Sequence, residues 1–181
     1  VNADLSGANL SRAYLPHARL PEANLSNASL CGADFFDANL RRANLSGADL
    51  SGASLYIAYF PYANLHRANL SGADLSDAML PQANLSDANL HRANLSDADL
   101  FGANLHRANL SCTSLYEVNL YNAQDLSTAN LHNARFTINH PYYSDTRWPL
   151  EFPAEAAIAA GAHPNLPGQD AWPDPHPDPD E

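Results

Sequence analysis

Three histidine–arginine pairs, His66-Arg67, His91-Arg92 and His106-Arg107, are the residues of this chain best suited to acid–base chemistry. Ser111 follows His91 by twenty residues, the one spacing at which a hydroxyl could meet an imidazole in a regularly coiled chain. Activating that hydroxyl takes a carboxylate to orient the base, and none recurs in step with the two. Solvated surface residues are the better reading of all three pairs. The Asn and Asp positions lack the Gly-Gly-x-Gly-x-Asp pattern of calcium-binding rolls, so neither a metal nor a cofactor is expected. With nine arginines, no lysine and twenty acidic residues, the chain carries a formal charge of -11. That balance argues against direct binding of nucleic acid, which needs a basic face. No apolar run is long enough for a membrane span.

What must position these residues is an internal repeat. From Ala3 to Leu120 the 181-residue chain repeats every five residues. Counting from Leu5, the twenty-four central positions hold twenty-two Leu and two Phe (Phe35, Phe60), and Ala stands two residues before the central residue in all but two units, Thr113 and Val118. A five-residue period would smear leucine around a helix, so a helix is rejected. Ala-x-Leu fits one short extended stretch facing a single side, after which the chain must turn. The turn residues agree: six glycines from Gly7 to Gly102 fall two places after the central residue, and Pro16, Pro21, Pro61 and Pro81 fall one place after it. Proline then glycine is the preference of the two middle residues of a β-turn.

Sorting the outward residues decides how many corners close a coil. At a spacing of fifteen the aromatic residues scatter. At twenty they segregate into the series Pro16, Phe36, Tyr56, Ser76, Ser96, Tyr116 and Pro21, Arg41, Pro61, Pro81, Phe101, Tyr121, while the two remaining corners are nearly all Ser and His. The expected fold is therefore an all-β solenoid of about six to seven four-sided coils, each of twenty residues. Six coils at about 4.8 Å give a rod about 29 Å long before its cap. Its narrow interior, filled by Leu and Ala, leaves no room for a substrate.

Ala-Asn/Asp-Leu-x-x over some two dozen consecutive units resembles the pentapeptide repeat proteins. The resemblance implies a right-handed quadrilateral β-helix. The segment from Thr146 to Phe152 with the Ala-rich run to Gly161 resembles the C-terminal segment of cyanobacterial members, although Phe152, where those carry Asp, precedes Pro153. Three parts are expected: the β-helix over 1–136, a cap with a short helix over 137–163 in which Trp148 and Phe152 cover the last ring of leucines, and a disordered acidic tail rich in Pro and Asp over 164–181, with Trp172 as its only anchor. One extra residue near Ala123–Leu126 predicts a bulge or small bend. No cap is visible at the other end, and an uncovered first coil invites self-association or a preceding segment. Cys31 and Cys112, four coils or about 19 Å apart, cannot pair.

The division of the surface is the strongest functional sign. Tyr14, Phe36, Tyr56, Ile57, Tyr59, Tyr62, Met79, Phe101, Tyr116 and Tyr121 all project from two adjacent faces. Through Leu120 those faces also hold eight carboxylates against three arginines, a net of -5; the opposite pair of faces nets +1. Duplication of twenty-residue units accounts for ladders of like residues. Clustered exposed aromatics also mark interfaces. The expected function is a non-enzymatic interaction or scaffold module that docks a protein partner or multiprotein complex through Phe36, Tyr56, Ile57, Tyr59, Tyr62, Phe101, Tyr116 and Tyr121. The cyanobacterial resemblance admits a photosynthetic complex as that partner. It also admits a lumenal or periplasmic location if Val1 follows a cleaved signal peptide, and a cytoplasmic one otherwise. The alternative implied by the resemblance is a duplex-mimicking modulator of DNA gyrase.

Overall fold

The computed structural model describes residues 3–137, 146–149, 152 and 154–165. Each outward residue of an Ala-x-Leu side bridges in parallel to the residue twenty places later, from Asp4 with Asn24 through Asn104 with Gln124. Four sides close a coil, and seven coils stack. The faces are numbered here by the first leucine on each: Leu5, Leu10, Leu15 and Leu20.

The repeat satisfies all five of its backbone N–H groups. The Leu5 N–H donates to the Asn24 carbonyl of the next coil (2.7 Å), the Asn24 N–H returns to the Ala3 carbonyl (2.8 Å), and the Gly7 N–H reaches the Ser26 carbonyl (2.8 Å). The Ala8 N–H closes the β-turn on the Leu5 carbonyl (3.0 Å). The fifth N–H, one place after leucine, has no backbone partner. It donates to the side-chain oxygen of the Asn or Asp two residues earlier, and this holds at all seventeen Asn and Asp positions from Asp4 to Asn119. The asparagine of the repeat is thus a turn-capping residue.

The second turn position is left-handed throughout: φ lies between +51° and +66° from Gly7 to Asn122, whether or not the residue is glycine. Inside, every central residue from Leu25 to Leu120 is buried, with Phe35 and Phe60 filling leucine slots. Leu5, Leu10, Leu15 and Leu20 of the first coil are only half-buried. Thr113 takes an alanine slot with its hydroxyl donating to the Leu110 carbonyl at 2.5 Å, so its burial leaves no orphan.

The extra residue is Asp125, in the left-handed region (φ 57°), followed by a 3-10 turn over Leu126–Thr128. Leu126 plugs the core, and the Thr128 hydroxyl accepts the Arg107 N–H that a regular coil would have paired with a carbonyl. The ladder then resumes one residue late, with Asn109 opposite Asn130 and β1 (Ser114–Leu115) parallel to β2 (Arg135–Thr137).

The fourth side of the last coil comes from beyond the repeat. Arg147 bridges Asn119, so Thr146 takes an alanine slot, its hydroxyl on the Leu115 carbonyl at 2.6 Å, and Trp148 takes a leucine slot. Trp148 lies edge-on against Phe136 (4.9 Å between centroids) and 6.1 Å from Phe152. Helix α1 (Ala154–Ala159) leads into β3 (His163–Asn165), which adds a further parallel strand on β2. Pairing therefore reaches Thr137 and Asn165, past the divisions at 136 and 163. Apart from Pro164 and Asn165, the acidic tail and Trp172 lie outside the described residues.

Candidate functional site

The histidines can be tested by following protons. Asn109 Oδ1 accepts both the Ser111 N–H (3.2 Å) and the Asn130 side-chain amide (3.0 Å), which fixes its orientation. The same oxygen accepts the Ser111 hydroxyl at 2.7 Å. Ser111 has spent its one proton on Asn109, so His91 Nδ1, 2.9 Å from Ser111 Oγ, must carry hydrogen and donate. His66 repeats the arrangement, with Nδ1 facing both the Ser86 hydroxyl (2.9 Å) and the Ser86 carbonyl (3.0 Å), while Ser86 donates to Asn84. A carbonyl can only accept, which assigns the same tautomer. A histidine that donates to a serine cannot be its base.

Several of the other ionisable groups pair along the rod axis. His17 meets Asp37 (2.9 Å), Arg107 meets Asp87 (3.4 Å) with His66 3.9 Å from the same carboxylate, and Glu22 lies near Arg41 and Arg42 (3.9 and 4.0 Å). These are half-exposed or exposed pairs of modest strength. Among the described residues no three His, Cys, Asp or Glu side chains converge on a metal position. Cys31 and Cys112 are free thiols. A surface groove of about 420 Å³ lies beside Phe101 and Gly102, lined otherwise by Gln82, Ala83, Asn84, Asn104, Asn122 and Gln124.

The two halves of the surface differ in how they satisfy themselves. On the first two faces side-chain amides form continuous ladders, Asn44 onto Asn24 (3.3 Å) through Asn84 onto Asn64 (3.2 Å), and Asn69 onto Asp49 through Asn130 onto Asn109 (3.0 Å each). On the third and fourth faces that ladder is broken by Tyr14, Tyr59 and Met79. Coil three carries apolar groups right across both: Tyr56, Ile57, Tyr59 and Tyr62, with Met79 bridged to Tyr59 one coil on. Tyr62 is 53% exposed, Tyr56 39%, Tyr59 37% and Met79 43%. Phe36 joins this band through Tyr56 (5.8 Å). Phe101 and Tyr121 stack on each other (6.1 Å) two to three coils away, and Tyr116 sits half-buried on the neighbouring corner. The eight aromatic and apolar candidates thus fall into a band of five, a stacked pair and a separate tyrosine.

A family profile for pentapeptide repeats matches residues 1–35, 38–77, 68–107 and 98–137, in eight copies. The chain belongs to the pentapeptide repeat family. Membership gives the coil its hand: the fold is a right-handed quadrilateral β-helix. Among solved structures, it is similar to HetL, a pentapeptide repeat protein involved in heterocyst differentiation regulation from the cyanobacterium Nostoc sp. strain PCC 7120, with 36% identity over 74% of this chain and 70% of that one and a TM-score of 0.36. A pentapeptide repeat protein of the Arabidopsis thaliana thylakoid lumen is 28% identical over 75% and 84% of the two chains, with a TM-score of 0.37. QnrB1, a plasmid-mediated fluoroquinolone resistance protein, is 20% identical over 67% and 71%, with a TM-score of 0.46. A sequence search of curated proteins returned no match. No helix among the described residues is long and apolar enough to cross a membrane.

Within this pentapeptide repeat two features of the aromatic band escape a reading of residue types. All four repeat prolines stand two places after a side chain that offers the turn no oxygen: Pro16 after Tyr14, Pro21 after Arg19, Pro61 after Tyr59 and Pro81 after Met79. Proline removes the very N–H that Asn or Asp would have capped. The pairing was visible in the sequence, but its sense depends on knowing where that N–H points. The second feature is strain. Among the described non-glycine residues with positive φ, Ile57 (φ 52°) is the one β-branched residue and Tyr62 (φ 59°) the one tyrosine, and both lie in the band.

Proposed function

We propose that this protein is a non-enzymatic docking module, a rigid rod that presents the third and fourth faces of its middle coils to a protein partner. The observation that carries this reading is the backbone conformation of the band. A β-branched side chain in the left-handed region is disfavoured by about 1–2 kcal/mol, and the same column elsewhere holds Asp, Glu and His. An apolar residue kept at such a cost, half-buried beside three exposed tyrosines, is explained by what it meets outside the rod. The solid leucine core and the donor role of His66 and His91 support the absence of a catalytic step.

Replacing Tyr56, Tyr59 and Tyr62 together by serine tests the reading. The variant should keep its circular dichroism and urea midpoint close to the parent, since none of the three rings is buried, and should lose the protein that co-purifies from the native source. Retention of that protein by the triple variant moves the docking face elsewhere.

A further inference from the structure

We propose that the partner element received by the aromatic band is an amphipathic helix that carries lysine or arginine in register with the coils. The inference rests on the docking function above and adds the chemistry of the partner. In the column of Ile57 the next two coils place Asp77 and Asp97, one above the other, with Asp74 and Asp99 on either side. Across the third and fourth faces of these coils, residues 74–82, 94–102 and 114–122, there is no Arg, Lys or His.

The contrast within one column is informative. Asp37, one coil before Ile57, is paired with His17 at 2.9 Å. The side-chain carboxylates of Asp77 and Asp97 have neither a hydrogen bond nor an ion pair to any described residue. Burial, and then the charge of Asp77, push the Asp97 carboxyl above its ordinary range. Stacked carboxylates repel, and nothing inside the rod offsets them. Beside an exposed apolar band they make an acidic shelf, and the complement to both is an apolar side chain followed by cations.

Spacing selects the secondary structure of that complement. Measured along the rod from the Ile57 row, Asp77 and Asp97 lie about 4.8 and 9.6 Å away. Residues i+3 and i+7 of a helix lie about 4.5 and 10.5 Å beyond residue i. Same-side residues of an extended strand come every 6.8 Å or so, so the first misses its rung by about 2 Å and the second by about 4 Å. A helix lying along the rod can therefore set an apolar residue on the band and cations at i+3 and i+7 on the two aspartates.

The probe is a synthetic amphipathic helix with leucine at i and arginine at i+3 and i+7, labelled for fluorescence anisotropy and titrated with the full chain. Saturable binding that weakens with salt is expected. Asp77→Asn with Asp97→Asn should weaken it about tenfold, while Asp4→Asn with Asp49→Asn, which removes the same charge from the other two faces, should leave it within about twofold. A glutamate counterpart of the peptide should not bind. Equal weakening by the two double variants, binding of the glutamate peptide, or no binding overturns the inference. The two proposals separate cleanly. If the tyrosine variant loses the native partner while D77N/D97N keeps it, docking stands and the cationic helix falls; if the tyrosine variant keeps it, docking itself falls.

Discussion

A single backbone hydrogen atom explains much of the residue choice on this rod. The N–H one place after leucine has no carbonyl to meet, so in seventeen of the twenty-four units through Leu120 the chain supplies an Asn or Asp oxygen two residues earlier and in four it deletes the hydrogen with proline, while Ser29, Ser54 and Ser114 stand in the other three. Deletion is what frees Tyr59 and Met79 from capping duty and lets them face outward for another purpose. Pro61→Ser should restore a donor with no acceptor and lower stability by about 1 kcal/mol, and adding Tyr59→Asn should recover most of it, read as urea midpoints of the two variants. If P61S alone is neutral, the exclusion between proline and asparagine is coincidental. Ile57→Gly makes the opposite case: relief of the left-handed strain should raise stability by about 1 kcal/mol while weakening partner binding. A gain in stability with a loss of binding is the signature of a side chain kept for contact. A loss of stability would mean that Ile57 packs for the fold.

At the scale of the coil, stability comes from neighbours, because one ring of four leucines exposes both of its faces and both of its backbone edges. This is why the twenty-residue column was legible in the sequence: parallel pairing copies each outward position onto the next coil, so residue types drift slowly down a column, as in Asn24, Asn44, Asn64 and Asn84. The slip at Asp125 was legible too, as a count that fails by one. The closure of the last coil was not. Arg147 pairs with Asn119 after the chain has left the pentad pattern, and no period can announce that Trp148 will return to a leucine slot or that His163–Asn165 will pair with β2. Likewise, the columns of the aromatic residues could be read, but not the split of the eight candidates into a band, a pair and a lone tyrosine, which follows from ring contacts. Trp148→Ala removes the ring that meets Phe136 and should cost the last coil about 3 kcal/mol. In a nearest-neighbour array that loss stays local. Hydrogen exchange should therefore quicken at Leu126, Leu131 and Phe136 and remain slow at Leu45, Leu65 and Leu85. Uniform loss of protection along the rod would show that the cap governs the whole array.

The distribution of charge over the whole rod separates a docking module from an imitation of duplex DNA. A duplex carries one charge per about 1.7 Å, or about 17 over a length of some 29 Å. The acidic pair of faces carries a net of -5 over the same length. Its charge is also uneven: Asp37 and Glu22 near the first coils are matched by His17, Arg41 and Arg42, and the uncompensated carboxylates lie together in the fourth and fifth coils. A protein that grips DNA through counterion release reads a long, regular row of phosphates, and a shelf two coils deep offers it only a fraction of that row. The Asp125 insertion is a 3-10 turn of three residues, too short to reach far from the rod. In a DNA gyrase supercoiling assay this protein, added in stoichiometric and then tenfold amounts, should leave the rate of supercoiling unchanged. It should also fail to displace DNA from the enzyme. Inhibition at stoichiometric amounts would mean that a few well-placed carboxylates suffice where the charge count says they do not. The aromatic band would then be the place to look for the missing affinity, since the charge supplies too little of it.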